Sequence, residues 1–196
     1  FGAYASISIE DFLAHRFLNW SESIPLTPPN VSDKDLCLFP ESINGKYVVI
    51  HRLDPNICLD EIDSLPPTTP VNRCIELMGP RAGMWDDQKI GAACPPIRVA
   101  EGWLFMYHGV SRDKIYRLGA ALLNDTGTEV LARTVAPILE PVLDWEKIGQ
   151  IGNVVFSCGA VVREDTLFVY YGGADTAIGV ATISLSKLMK ILLPSL

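Results

Sequence analysis

Lys89 and His108 are the first residues in this chain whose types and surroundings point to chemistry. Lys89 precedes Gly91 by two positions, and His108 closes the apolar run GWLFMYHG. A lysine supplies a point charge and a histidine a donor, both suited to a phosphate-like anion, while a glycine lets backbone approach it. The alternative for the same pair is a surface lysine and a core histidine with satisfied ring nitrogens. Just upstream, Trp85 with Asp86 and Asp87 offers an aromatic face for a sugar ring and carboxylates for its hydroxyls. Asp86, Asp87 and Asp175 are also candidate general acids or bases, and composition does not choose among them. The chain has no G-x-S-x-G, no H-E-x-x-H and no P-loop motif.

These groups need elements that bring them together. Short apolar, aromatic and β-branched runs dominate, separated by Gly, Pro, Asn and Asp, which predicts an all-β fold. The clearest strands are KYVVIHR (46–52), GWLFMYHG (102–109) and TLFVYYGG (166–173). Each follows a turn, NG at 44–45, EG at 101–102 or ED at 164–165, and each turn follows another short strand: LCLFPESI, CPPIRVA or CGAVVRE. NG is the strongest of these hairpin signals. Aligning Gly45, Gly102 and Asp165 puts His51, His108 and Tyr171 in register, at offsets of 57 and 63 residues. A second element, GAYASIS at Gly2, GAALLN at Gly119 and GVATISL at Gly179, recurs at spacings of 117 and 60 residues.

A period near 60 with three or four short strands per unit predicts the blades of a β-propeller; an all-β sandwich with coincidental similarity is the alternative. Inner strand ends surround a propeller's axis, so polar residues at equivalent positions converge there. That gathers His51, His108 and Tyr171, with Arg52, Tyr107 and Asp175 beside them and Lys89 on a loop leading into the same blade. SLSKLMKILL (184–193) reads as a short helix. The chain holds a little over three periods, fewer than the four or so blades that close a propeller. It also opens without Met inside a strand-like run. Both observations predict a fragment or processed chain, with blades missing before Phe1 and residues 1–196 forming one partial propeller domain. Open strand edges in such a domain favour association, including a homo-oligomer.

Composition narrows the function classes. A formal net charge of −7 argues against nucleic acid, which needs a basic face. Apolar residues make up 48% and charged residues 20%, as in soluble globular proteins. No apolar run approaches a membrane span and no secretory signal opens the chain, so a cytoplasmic protein without membrane contact is expected. The cysteines, Cys37, Cys58, Cys74, Cys94 and Cys158, form no C-x-x-C pair. They read as free thiols in a reducing compartment, with no metal site.

The phrases LFPESINGKYVVIHR, GPRAGMWDDQKIGAACPPI, GWLFMYHGV, YRLGAALL, PILEP, NVVFSCGAVV and LFVYYGGADTAIGVAT run in this order from about Leu36 to Leu188. In them the chain resembles glycoside hydrolase family 130, the β-mannoside phosphorylases and β-mannosidases. The resemblance implies a five-bladed β-propeller, of which this chain covers roughly the last three blades. It implies inverting phosphorolysis, in which phosphate attacks the anomeric carbon of a β-mannoside and releases α-mannose 1-phosphate. By the same resemblance Lys89 and His108 are phosphate ligands, Arg52 belongs to the same basic pocket, and Tyr116 and Asp175 lie near the bound sugar. The implied partners are a β-mannoside oligosaccharide and inorganic phosphate as co-substrate, with no cofactor. Hydrolytic members lack the basic set, so Lys89 and His108 favour phosphorolysis. A β-mannosidase and a non-catalytic carbohydrate-binding propeller fragment are the alternatives. The family's general acid is an Asp in an early blade with no counterpart here; Asp11, in IEDF, matches a later segment. The catalytic acid is therefore expected upstream, and the isolated chain is expected to be inactive.

Overall fold

Alternating side chains and tight turns build this chain from antiparallel hairpins, seen in a computed structural model that describes residues 1–194. Strand β1 (Ala3–Tyr4) pairs with β2 (Ile24–Pro25), and helix α1 (Ile9–Leu13) lies between them in sequence, capped by the Ser8 hydroxyl. A four-stranded sheet follows, in the order β3 (Asp33–Leu38), β4 (Tyr47–Leu53), β5 (Asn56–Ile62), β6 (Ile75–Met78). The next sheet contains β7 (Lys89–Ala92), β8 (Ile97–Val99), β9 (Gly102–Val110), β10 (Tyr116–Leu123) and β11 (Val130–Arg133). Here β7 and β8 both pair with β9, which pairs with β10, which pairs with β11. Helix α2 (Asp144–Lys147) leads into a three-stranded sheet of β12 (Val155–Arg163), β13 (Thr166–Gly173) and β14 (Ala177–Ser184). Helix α3 (Leu185–Leu192), capped by Ser184, follows as the SLSKLMKILL pattern predicts.

Strand β9 explains how the sheets stack. All nine of its residues are buried, the pattern of a strand covered on both faces. Trp103, Phe105 and Tyr107 pack with Val48, Ile50, Ile57 and Leu59 of the first sheet. Leu104 and Met106 point the other way and pack with Val155, Leu167, Val169 and Tyr171 of the third. The middle sheet is thus sandwiched between its neighbours. Edge strands β3 and β12 and the β7 segment line one common cleft of about 360 Å³. Among the described residues no sheet closes on itself.

Three expectations change. First, the hairpin alignment slips by one residue in the middle sheet. The turn residues are Asn44–Gly45, Ala100–Glu101 and Glu164–Asp165, flanked by the pairs Ile43↔Lys46, Val99↔Gly102 and Arg163↔Thr166. Gly102 is therefore the first strand residue, not a turn residue. Its φ is +135°, and a Cβ there would lie 2.1 Å from the Leu123 carbonyl, so close approach is what demands glycine. The equivalent positions are His51, Tyr107 and Tyr171, opposite Cys58, Gly119 and Gly179. Second, CPPIRVA is a strand only at Ile97–Val99, because Pro95 and Pro96 have no N–H for the ladder. Third, Cys58 and Cys74 form a disulfide, which corrects the reading of all five cysteines as free thiols; Cys37, Cys94 and Cys158 are free. No helix among the described residues is long and apolar enough to cross a membrane.

Candidate functional site

The one-residue correction sharpens the convergence argument. A one-residue step along a strand moves a side chain to the opposite face. With His51 and Tyr107 equivalent, the next residues, Arg52 and His108, are equivalent too, opposite Lys34 and Gly91 on the edge strands. They meet: Arg52 Nη1 donates to His108 Nε2 at 3.3 Å. Arg52 Nη1 also lies 2.7 Å from Asp35 Oδ2, and Arg52 Nε lies 2.8 Å from Asp54 Oδ1. Asp35 Oδ2 is in turn 3.5 Å from His108 Nε2. The ammonium of Lys89, at the start of β7, lies over the Tyr116 ring, 5.5 Å from its centroid. The His108 ring packs against Phe156 at 4.6 Å and Tyr116 at 6.1 Å between centroids.

Burial sets the electrostatics. The His108 side chain is fully buried, and this desolvation, with the charges of Arg52 and Lys89, pulls its pKa down to about 3. His108 is therefore a neutral imidazole at neutral pH. Burial moves the Asp35 carboxyl the other way, above the usual carboxylate range, against the pull of Arg52 and Lys34. The cluster thus holds two cations, Arg52 and Lys89, against Asp35 and Asp54. The guanidinium and the ammonium are the groups here that attract an anion, and the His108 ring beside them is neutral.

Phe156 connects this cluster to two further clefts. One, of about 240 Å³, is lined by Tyr116, Ile151, Val154, Phe156 and Asp175; the other, of about 320 Å³, also contains Phe156 and Asp175. Asp175 is exposed in the turn between β13 and β14, with φ +51°. Phe156 thus packs beside His108 and Tyr116 and shares clefts with Asp175, while Arg52 adjoins His108 and Lys89 adjoins Tyr116. The sequence reading singled out neither Asp35 nor Phe156. Asp35 sits where the β3–β4 register shifts, between Lys34 and Cys37, and an irregularity of this kind leaves no periodic signal.

Residues 10–193 match the family described as β-1,4-mannooligosaccharide phosphorylase, glycoside hydrolase family 130. The chain belongs to that family. It is 49% identical over 171 residues to a β-1,2-mannobiose phosphorylase of Thermoanaerobacter sp. (strain X514), covering 86% of this chain and 55% of the relative. A 1,2-β-oligomannan phosphorylase of the same strain is 43% identical over 87% of this chain and 56% of its own length. The solved β-1,2-mannobiose phosphorylase of Listeria innocua, in complex with β-1,2-mannobiose, superposes with a TM-score of 0.78 at 40% identity, over 85% of this chain and 48% of that one. The chain therefore spans about half the length of these relatives.

Other expected site residues of this family 130 chain lie elsewhere. Asp86 is fully buried, accepting from Arg81 Nε at 3.0 Å, Arg133 Nη2 at 2.7 Å and Tyr107 Oη at 3.0 Å. No carboxylate edge is left for a sugar, which corrects its reading as a sugar ligand. Trp85 stacks on Tyr107, 5.6 Å between centroids, over Gly109 and Gly119, and donates to the Val135 carbonyl. It packs in the core between the first two sheets rather than offering a face to ligand. The same support recurs one sheet on: Trp145 stacks on Tyr171, whose hydroxyl donates to Glu146 at 2.6 Å, over Gly173 and Gly179. Trp85–Asp86 and Trp145–Glu146 stand 60 residues apart, a repeat visible in the sequence itself. His51 lies in the equivalent row of the first sheet, its Nδ1 2.8 Å from Asp33 and its Nε2 3.0 Å from the Arg73 carbonyl. It is a satisfied core histidine and does not join His108. Asp87 pairs with Arg112 at 3.2 Å.

Proposed function

We propose that these residues form the phosphate side of a β-mannoside phosphorylase built on a five-bladed propeller, of which they supply about three blades. The observation that carries this reading is the cluster of Arg52, Lys89 and His108 on equivalent or adjoining strand positions, in a chain 49% identical to a β-1,2-mannobiose phosphorylase. Two fixed cations beside a neutral imidazole suit a phosphate dianion: they attract it without donating a proton to its attacking oxygen. Phosphate oxygen attacks the anomeric carbon, the bond from that carbon to the leaving sugar breaks, and the leaving oxygen takes a proton from a carboxylic acid. The products are α-mannose 1-phosphate and the shortened sugar. The acid belongs to a part of the family fold these residues do not span, so residues 1–196 alone are inactive. Tyr116, Phe156 and Asp175 border the space for the mannosyl ring. The names of the two Thermoanaerobacter relatives favour a β-1,2 linkage over the β-1,4 linkage of the family description.

The test is product analysis on the full natural polypeptide. With β-1,2-mannobiose, mannose 1-phosphate should form in proportion to phosphate, and faster than with β-1,4-mannobiose. Free mannose released equally without phosphate would favour the hydrolytic reading. Binding of the sugar with no product of either kind would leave a carbohydrate-binding propeller.

A further inference from the structure

Two members of the cluster carry a charge that is wrong for an anion site, and of these Asp54 is exposed whereas Asp35 is largely buried. Its φ of +54° puts a non-glycine residue in the left-handed region, which persists only where the surroundings enforce it. It sits at the register shift in the β3–β4 pairing, and such irregularities re-aim side chains beside active sites. Gly91 makes room for it: a Cβ there would lie 2.1 Å from Asp35 Oδ2 and 2.5 Å from His108 Cε1. Although Arg52 Nη1 is 2.7 Å away, the two are not aligned as a hydrogen bond, so buried Oδ2 has no hydrogen-bond partner among the described residues. A buried acceptor left in that state is costly unless something completes it.

We propose that Asp35 is a positioning residue that holds Arg52 against His108 and takes up one proton from solvent when phosphate binds. The inference rests on the phosphate reading above and adds a proton to it. An oxyanion that bonds the guanidinium of Arg52 comes within reach of Asp35 Oδ2. Two anionic oxygens that close repel; one proton between them turns the repulsion into an O–H···O bond. The balance is simple: carboxylate, phosphate dianion and one solvent proton give a carboxylic acid donating to the bound dianion. Every charged neighbour bears on this step. Lys34 lies on the same strand, Arg52 and Asp54 come from β4 and its following turn, Lys89 from β7 and His108 from β9, with Cys37 and Cys158 on β3 and β12. Burial already favours the neutral carboxyl, which lessens the work of protonating it.

The experiment is calorimetric titration of inorganic phosphate into the full natural polypeptide at about pH 8, in buffers of different ionisation enthalpy. The dependence of heat on buffer counts protons. The native protein should take up about one proton per phosphate, and its Kd should rise by up to about tenfold per pH unit as Asp35 ionises. Asp35→Asn and Asp35→Gly both tolerate a positive φ and so keep the backbone. Both should bind phosphate with no proton uptake and a flattened pH dependence, whereas His108→Gln should keep the uptake. Native binding without uptake overturns the proposal and leaves the phosphate reading standing, as does uptake that persists in both Asp35 variants. No binding heat and no phosphate-dependent product in the native protein would sink the phosphate reading, and this inference with it.

Discussion

Arg52 Nη1 faces His108 Nε2 across 3.3 Å, and this contact fixes which ring nitrogen of His108 carries the proton. A guanidinium only donates, so Nε2 accepts and the neutral ring holds its hydrogen on Nδ1. Burial first, then Arg52 and Lys89, brings its pKa to about 3. NMR across about pH 5 to 8 should therefore show the His108 ring signals staying constant, because the ring remains neutral throughout that range. Replacing Arg52 by Met removes one opposing charge and should move the His108 pKa upward.

The same depression makes a stability prediction. Between the folded pKa of about 3 and the unfolded value of about 6.5, the unfolded chain binds the extra proton, so stability rises with pH across that window. Acidification from neutral pH should destabilise the fold, by a few kcal/mol at most, as urea unfolding at stepped pH would show. His108→Gln should flatten this part of the profile. A native curve that stays level down to about pH 4 would contradict the neutral buried imidazole.

Asp86 now has a structural role that can be separated from sugar binding. Removing its carboxylate leaves Arg81 and Arg133 facing a buried gap, and breaking such a set by deleting one partner costs about 3–5 kcal/mol. Asp86→Ala should unfold at lower denaturant, and Asp86→Asn, which keeps an acceptor, should lose less. Sugar affinity per folded molecule should stay unchanged in the Asn variant; a selective loss of affinity at unchanged stability would restore Asp86 as a ligand.

Much of the fold was legible because it is written in local chemistry. Asn44 and Gly45 both have positive φ, as the NG turn demands, and the flanking strands pair as read. Ser184 caps α3 where the pattern changes from period two to a helix. The site was legible only in part. Lys89, His108 and Arg52 stand out by residue type, but the EG pair at 101–102 looks like a turn, whereas Gly102 is there for contact with the Leu123 carbonyl. That error of one residue placed His51 in the row of His108, when it belongs with Tyr107 and Tyr171. Trp85 and Asp86 misled because a stacked core tryptophan and a sugar platform share one composition. Asp35 was silent because its position depends on a register shift that only the paired strands reveal.

The Trp–Tyr–Gly supports predict where methyl groups are tolerated. A Cβ at Gly119 would lie 2.6 Å from the Trp85 ring and 2.9 Å from Tyr107 Cζ, and one at Gly179 would lie 2.6 Å from Trp145. Gly119→Ala and Gly179→Ala should each cost about 1–3 kcal/mol by overpacking. At Gly159 nothing among the described residues lies within 4 Å, so Gly159→Ala should be neutral or stabilise by up to about 1 kcal/mol. Thermal unfolding of the three variants side by side tests the ranking; equal stability of all three would mean that the rings do not pack on the glycines as described.

Replacement of His108 separates phosphate chemistry from water chemistry. Lys89→Ala removes one charge-assisted contact, so in the full natural polypeptide phosphate use should weaken about 10–100-fold, or about 1.5–3 kcal/mol, with less effect on mannoside binding. His108→Gln keeps a neutral acceptor for Arg52 Nη1, so it should preserve the guanidinium's position and retain phosphorolysis at a reduced rate. His108→Glu puts a carboxylate where Nε2 now lies, 3.5 Å from Asp35 Oδ2 and 3.3 Å from Arg52 Nη1. The new carboxylate should capture Arg52, repel Asp35 and exclude the phosphate dianion, while water, being neutral, can still enter. Mannose 1-phosphate and free mannose, followed across a phosphate series, should therefore show phosphorolysis lost in the Glu variant and weak phosphate-independent hydrolysis retained. Mannose 1-phosphate formed by the Glu variant at the native rate would show that His108 does not border the phosphate, and the assignment of the anion site would then rest on Lys89 and Arg52.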